Sequence, residues 1–129
     1  MPRFLVVDDS ATMRAYVRAS LEEQDGDREE IEVVEAASGF DALRLLPRSR
    51  FDLLITDINM PDINGLELIR FVRSSEHHKQ IAVMIISTQA SNRDRERGLQ
   101  LGANGFLPKP FTPAALREAV AVSLAASRR

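Results

Sequence analysis

The chain has 129 residues, of which 44% are hydrophobic and 28% charged, and this composition fits one compact domain, residues 1–129, that buries its own core. Its net charge of −2 argues against a protein that mainly holds nucleic acid, and its lack of cysteine excludes disulfides, zinc–thiolate sites and thiol nucleophiles. The first residues show neither a signal peptide nor a membrane span, so we expect a cytoplasmic protein with no membrane partner.

Five short apolar runs alternate along the chain with segments that show helical periodicity. The apolar runs are residues 4–7, 31–34, 53–56, 82–86 and 105–107. The helical segments are residues 13–21, 39–46, 66–72, 93–101 and 113–124. We expect Pro47 to stop the second helix and Pro113 to open the last one, because proline breaks a helix interior but suits a first turn. The alternation is typical of an α/β fold with a parallel sheet.

Hydrophobic patterning also predicts the order of the strands. The first, third and fourth runs are continuous rather than alternating, which is typical of central strands covered by helices on both faces. The second and fifth runs are expected at the edges. The predicted fold is therefore flavodoxin-like, a three-layer (βα)5 sandwich whose five parallel strands lie in the order 2-1-3-4-5.

Two of the helices are expected to differ in how firmly they pack. The first should bury one face that includes Tyr16, Val17 and Leu21. The fourth is strongly charged, and its apolar anchors, Leu99 and Leu101, lie mainly at its end. We therefore expect the fourth helix to be one of the looser elements.

Polar side chains stand at the carboxyl ends of four of the five predicted strands. Asp8 and Asp9 follow the first strand, Asp57 the third and Ser87 the fourth, and Lys109 lies near the end of the fifth. In a sheet of this kind, ligands bind beyond the carboxyl ends of the strands. Three carboxylates, a hydroxyl and an ammonium group are therefore expected to meet at one edge.

Such a group of carboxylates needs compensation, because two like charges ~4 Å apart repel by about 4 kcal/mol at an effective dielectric near 20. An all-oxygen site with room for water suits Mg²⁺. One carboxylate can then act as a nucleophile, as in aspartyl-phosphate chemistry, while Lys109 and Ser87 hold phosphoryl oxygens. A single aspartate at a strand end is more often a turn or capping residue. The coincidence at four strand ends favours one phosphoryl site.

Five motifs carry a resemblance to a known family. They are residues 4–10 with Met13 and Arg14, residues 57–61 with residues 65–67, residues 85–87, residues 102–103 with 105–106, and residues 109–111. In this order and at these separations they resemble the receiver domains of response regulators, in particular single-domain CheY-like chemotaxis receivers. The resemblance covers residues 3 to about 125 and implies a part in two-component signalling.

The resemblance implies an acceptor and a metal site. Asp57 would be the phosphoacceptor. Asp9, Asp57 and the backbone carbonyl of Asn59 would bind Mg²⁺ directly, and Asp8 would act on the ion mainly through water. Asn59 and Gln89 stand at positions that would tune dephosphorylation by touching the attacking water.

The resemblance also implies a switch. Ser87 would bind the phosphoryl group, Lys109 would pair with its oxygens, and the Lys109–Pro110 peptide bond is expected to be cis. Phe106 would be the aromatic side chain that rotates inward on activation. Many members of the family have threonine in place of Ser87, and Phe106 lacks the hydrogen bond that a tyrosine offers.

The implied partners are a histidine kinase or a phosphotransfer protein as donor, and a protein target on the face built by the fourth helix, fifth strand and fifth helix. The expected assembly is a monomer or a weak, phosphorylation-dependent dimer, with no nucleic acid bound. An interaction module that works without phosphorylation is one alternative, although its acid pocket should then be damaged. An aspartyl-phosphate phosphohydrolase is another, but Asn59 stands where a second acid is needed. A flavin-binding protein would need a phosphate cradle that the first loop lacks.

Overall fold

The computed structural model describes residues 2–22, 30–88 and 92–127. The strands are β1 Arg3–Val7, β2 Glu32–Ala36, β3 Leu53–Asp57, β4 Ala82–Ser87 and β5 Gly105–Pro108. The helices are α1 Ala11–Glu22, α2 Gly39–Leu45, α3 Gly65–Ser74, α4 Asn92–Leu101 and α5 Pro113–Ser127. The predicted alternation of strands and helices is confirmed.

The sheet has the order β2-β1-β3-β4-β5, and every pair of neighbouring strands is parallel. This is the predicted flavodoxin-like topology. The register aligns Asp57 with Ile86 and Ser87 with Pro108. The carboxyl ends of the strands therefore lie side by side at one edge of the sheet.

Each face of the sheet carries its own hydrophobic cluster. Leu5 and Leu54 pack with the residues of α2 and α3, whereas Phe4 and Ile55 pack with those of α1 and α5. Successive side chains of a strand point to opposite faces, so neighbours in sequence fall in different clusters. All residues of β3 and β4 are buried, as their continuous apolar runs predict. Each fully buried leucine contributes roughly 1.5–3 kcal/mol to folding.

Of two predictions about the first half of the chain, one is confirmed and one was wrong in detail. The α-helix α2 ends at Leu45, just before Pro47 as predicted, and the residues Leu46–Arg48 form a separate 3₁₀ turn with the proline in its first turn. Tyr16 is not buried with the rest of its helix face but is 38% exposed. Its hydroxyl donates a hydrogen bond to the Phe111 carbonyl at 2.8 Å, and this polar tip accounts for the position of the ring at the surface.

The anchoring of α4 also differs from the prediction. Leu99 is 47% exposed, and the buried residue of this helix is Gly98. A Cβ atom at Gly98 would overlap the Ile85 side chain, so the glycine lets the helix backbone approach β4. Leu101 is only partly buried. α4 therefore packs on the sheet through the close approach of its backbone at Gly98, and not through a row of large apolar side chains.

Within the described ranges, no helix has both the length and the apolar character needed to cross a bilayer.

Candidate functional site

Three aspartates meet at the carboxyl edge of the sheet. Asp8 and Asp9 follow β1, and Asp57 is the last residue of β3. One carboxylate oxygen from each lies within 4.8 Å of the other two. Asp8 and Asp57 are buried, at 1% and 8% exposure, whereas Asp9 is exposed. The cluster is therefore a pocket that solvent reaches from the side of Asp9.

Lys109 supplies the positive charge in this pocket. Its Nζ lies 2.9 Å from Asp8 Oδ2 and 3.4 Å from Asp57 Oδ2, and its side chain is 8% exposed. The Lys109 amide donates to the Ser87 carbonyl at 2.9 Å, and the Lys109–Pro110 bond is cis, as expected. Lysine thus bridges the two buried carboxylates but pairs more closely with Asp8 than with Asp57.

Backbone amides hold the other oxygens of the two buried carboxylates. The Ser10 amide donates to Asp8 Oδ1 at 2.9 Å, and the Ile58 amide donates to Asp57 Oδ1 at 2.8 Å. One oxygen of each carboxylate is therefore oriented by the chain, while the second faces Lys109. This arrangement fixes the direction in which Asp57 presents its second oxygen.

Negative charge exceeds positive charge in this pocket. Burial raises the pKa of Asp57 above its ordinary value; the Lys109 charge opposes this shift, and the Asp8 charge adds to it. Three carboxylates stand against one ammonium group. Carboxylate oxygens open to water are the donor set that Mg²⁺ takes, so the residues present fit a magnesium ion.

The loop after β3 is held by contacts that the sequence analysis did not identify. Asp62 accepts hydrogen bonds from the amides of Gly39 and Phe40, at 3.2 and 2.7 Å, and so joins this loop to the first turn of α2. Asn64 and Glu67 form a reciprocal capping box at the start of α3. The spacing of that pair in the sequence is a signal that could have located the cap.

Gly65, in the second motif, lies against the phosphoacceptor candidate. A Cβ atom here would overlap the Asp57 carbonyl, and the Gly65 amide donates to the Ile58 carbonyl at 2.8 Å. The position needs glycine because two stretches of backbone approach each other closely. The start of α3 is thereby locked to the end of β3, where Asp57 stands.

The predicted switch residues lie on β4, which neighbours β3, and on β5, which pairs with β4 at the edge of the sheet. Ser87 is fully buried at the end of β4, and Thr88 after it is exposed. Phe106 is partly buried, pairs in register with Ile85 and packs against the cluster on the α2–α3 face. Asn59 is exposed two residues after Asp57. Gln89 lies outside the described residues.

A shallow groove of about 450 Å³ runs along α4, β5 and α5. Leu99 and Val122 line it and are exposed, and Phe106 reaches it from the sheet. The predicted target face therefore has an apolar strip at the surface, and the predicted switch aromatic contributes to it.

Comparisons with known sequences agree with this geometry. The family described as the response regulator receiver domain matches residues 4–121 of the chain. A chemotaxis protein CheY homolog of Campylobacter jejuni is 37% identical over 117 residues, which are 90% of this chain and 87% of that protein. Chemotaxis protein CheY1 of Helicobacter pylori is 37% identical over 123 residues, covering 95% of this chain and 96% of the relative.

Solved structures are similar over nearly the whole chain. The chemotaxis response regulator CheY4 of Vibrio cholerae superposes with a TM-score of 0.85 at 33% identity, covering 95% of this chain and 98% of that one. A CheY-like response regulator receiver domain protein of Methanospirillum hungatei reaches a TM-score of 0.86 at 26% identity, covering 99% and 97%.

Proposed function

The chain belongs to the response regulator receiver family and is a CheY-like signal transducer of two-component systems, and from this premise we propose that it is a switch operated by phosphorylation of Asp57. The observation that carries the proposal is the pocket in which Asp57 and Asp8 share Lys109. The switch occupies one domain, residues 1–129. It is not an enzyme acting on other molecules, and it catalyses only its own phosphorylation and dephosphorylation.

The phosphoryl donor is a histidine kinase or a phosphotransfer protein. An oxygen of the Asp57 carboxylate attacks the phosphorus while the phosphohistidine nitrogen leaves and takes up a proton. The Ile58 amide holds Oδ1, so Oδ2, on the side of Lys109, is the oxygen free to react. Lys109 also favours the ionised carboxylate, which is the nucleophilic form, against the effect of burial.

Asp8, Asp9, Asp57 and the backbone carbonyl of Asn59 are the groups that would hold Mg²⁺. An ion held there would neutralise phosphoryl oxygens and so lower the electrostatic cost of bringing a phosphate to a carboxylate cluster. Asp8 would act on the ion mainly through water, since its two oxygens already accept from Ser10 and Lys109. Asn59 and Gln89 adjust how readily water reaches the acyl phosphate.

Phosphorylation shifts a population between two states of the same fold. The phosphoryl group adds a charge of about −1.5 to −2 at the end of β3. Lys109 and the Ser87 hydroxyl bind its oxygens, and Phe106 follows Ser87 inward. The groove along α4, β5 and α5 then changes shape, and with it the affinity for a protein target or for a second phosphorylated copy of this chain.

The test is to incubate the protein with Mg²⁺ and acetyl phosphate and to measure its intact mass. The wild type should gain a phosphoryl adduct that disappears without Mg²⁺, and Asp57→Asn should gain none. Asp52→Asn is the matched control, because Asp52 is an exposed aspartate at the opposite end of β3. An equal adduct on Asp57→Asn would refute the assignment of the acceptor. If Mg²⁺ binds but neither a phosphoryl adduct nor a beryllofluoride complex forms, rapid hydrolysis is excluded and the interaction module without phosphorylation replaces this proposal.

A further inference from the structure

A second, larger groove lies at the opposite end of the sheet from Asp57. It measures about 1020 Å³, a volume at the upper end of the range of small-molecule sites. Its walls are residues 47–52 before and at the start of β3, residues 77–81 before β4, and the end of α5. We refer to it as the amino-end groove. None of the proposed phosphorylation chemistry uses it.

Two arginines of this groove have no counter-ion among the residues that the structure describes. Arg48 and Arg50 both line it and are exposed, and neither makes an ion pair or a side-chain hydrogen bond within the described ranges. The acid among the lining residues is Asp52, whose carboxylate already accepts a hydrogen bond from the Arg3 amide at 2.8 Å. The two guanidinium groups are therefore available to an anion, and guanidinium pairs bind phosphate well through paired N–H donors.

Two adjacent histidines belong to the same groove. The rings of His77 and His78 are 6.2 Å apart, and both line the groove. Burial and the neighbouring His77 lower the pKa of His78, so a bound anion would relieve the repulsion between the two rings. The charged residues beside them, Glu76 and Lys79, form an ion pair at 3.0 Å, so their opposite charges largely cancel.

The floor of the groove is apolar. Phe51 and Ile81 form part of it and belong to the core cluster of the α2–α3 face, and Leu124 of α5 adds a partly buried side chain. Phe51 and Ile81 are almost fully buried, so among these three side chains Leu124 offers the most apolar surface to an organic group. We propose that the amino-end groove binds a small organic phosphate, with its phosphate groups at Arg48 and Arg50 and its organic part over the floor.

The first measurement is a titration of ¹⁵N-labelled protein with ADP in EDTA, which keeps the acid pocket free of metal. The amides of residues 48–52 and 77–81 should shift together in a saturable way. Inorganic pyrophosphate should bind at the same amides but more weakly, because it does not cover the floor. Pyrophosphate binding as tightly as ADP overturns the organic part of the proposal. Shifts centred on residues 8–9 and 57–59, or no shifts, overturn the site.

A double variant tests the arginines. Arg48→Gln with Arg50→Gln should weaken ADP binding at least tenfold, since two charge-assisted contacts are lost. Arg44→Gln is the control with the same change of residue on the neighbouring helix, where Arg44 pairs with Asp41, and it should leave binding unchanged. Equal affinity of the double variant and the control refutes the proposal. Labelling by acetyl phosphate should be normal in the double variant, which keeps this test separate from that of the switch.

The histidines make a separate prediction about pH. Protonation of His78 should make ADP bind more tightly near pH 6 than near pH 8. ADP itself titrates in this range, so the wild type is compared with His77→Gln plus His78→Gln at each pH. The gain in affinity on lowering the pH should be at least about threefold larger in the wild type, and an equal gain in both proteins removes the histidines from the site. Tighter binding of hexaglutamate than of ADP at these amides would assign the groove to an acidic protein segment and overturn the proposal.

Discussion

Lys109 and Arg73 are both substantially buried cations at opposite ends of the sheet, and their surroundings differ in kind. Arg73, near the end of α3, donates only to neutral oxygens. Its guanidinium contacts the carbonyls of Lys79, Ile81 and Gly102 and the side-chain oxygen of Asn104, at 2.6–3.0 Å. Within the described ranges no carboxylate pairs with it, and burial lowers the pKa of Arg73.

Lys109 has the opposite surroundings. It stands among carboxylates that outnumber it, with Asp8 at 2.9 Å and Asp57 at 3.4 Å. The donors of Arg73 are occupied by carbonyls that cannot leave without breaking the turns before β4 and β5. Lys109 can exchange one anion for another without disturbing the backbone. The comparison shows two roles for a buried cation. A cation whose acceptors are neutral backbone oxygens stabilises the fold, whereas a cation surrounded by an excess of carboxylates is suited to a switch.

The largest effect is expected from breaking the Arg73 contacts. Arg73→Ala should lower the free energy of unfolding by about 3 kcal/mol, because several partly buried carbonyls lose a charged donor at once. Chemical denaturation measures this loss. Arg70→Ala, an exposed arginine of the same helix, should stay within about 0.5 kcal/mol of the wild type. Equal small effects of the two variants would show that Arg73 does not hold these turns.

The next largest effect concerns metal binding at the other end of the sheet. Mg²⁺ at ten times its dissociation constant should raise the free energy of unfolding by about 1.4 kcal/mol. Asp9→Asn should abolish this increase and leave the metal-free stability almost unchanged, because Asp9 is exposed. Thermal denaturation with and without Mg²⁺ measures both quantities. Full stabilisation of Asp9→Asn by Mg²⁺ would exclude Asp9 as a ligand.

A smaller effect of opposite sign is expected from Asp57→Asn. The raised pKa of Asp57 means that the fold disfavours its charge, so the neutral amide should raise the free energy of unfolding at neutral pH. Asp52→Asn serves as the control, because Asp52 is exposed and its replacement removes no buried charge. A destabilised Asp57→Asn would show that the attraction between Asp57 and Lys109 outweighs burial and the repulsion from Asp8.

The smallest effect is the pH dependence of the difference in unfolding free energy between Asp57→Asn and the wild type. Between the ordinary carboxyl pKa and the raised pKa of Asp57, the folded protein holds a proton that the unfolded chain has lost, so the contribution of Asp57 to stability falls as the pH rises. Above the raised pKa, Asp57 is ionised in both the folded and the unfolded state, and the full free-energy cost of its buried charge is present. The advantage of Asp57→Asn over the wild type should therefore shrink towards zero as the pH falls to about 4. Urea denaturation across this range measures the gap, and a gap that widens at low pH would contradict the sign.

Much of the fold could be predicted because it depends on local patterns. Continuous runs such as residues 53–56 predict central strands, and the order of the five strands follows from which runs alternate. The wrong predictions, Tyr16 and Leu99, concern single side chains on helices. Their exposure depends on a distant acceptor in one case and on the close packing of Gly98 in the other, and neither can be read from periodicity.

The sequence by itself determined which groups meet at the carboxyl edge of the sheet, since parallel strands bring their ends together whatever the loops do. Only the tertiary structure decided how those groups pair: Lys109 lies closer to Asp8 than to Asp57, and burial raises the pKa of Asp57. The role of Arg73 was likewise invisible in the sequence, where it is one more charged residue on a helix. Its acceptors lie in two loops that come together only when β4 and β5 pair. Every residue type has a backbone carbonyl, so the sequence does not show which carbonyls accept these hydrogen bonds.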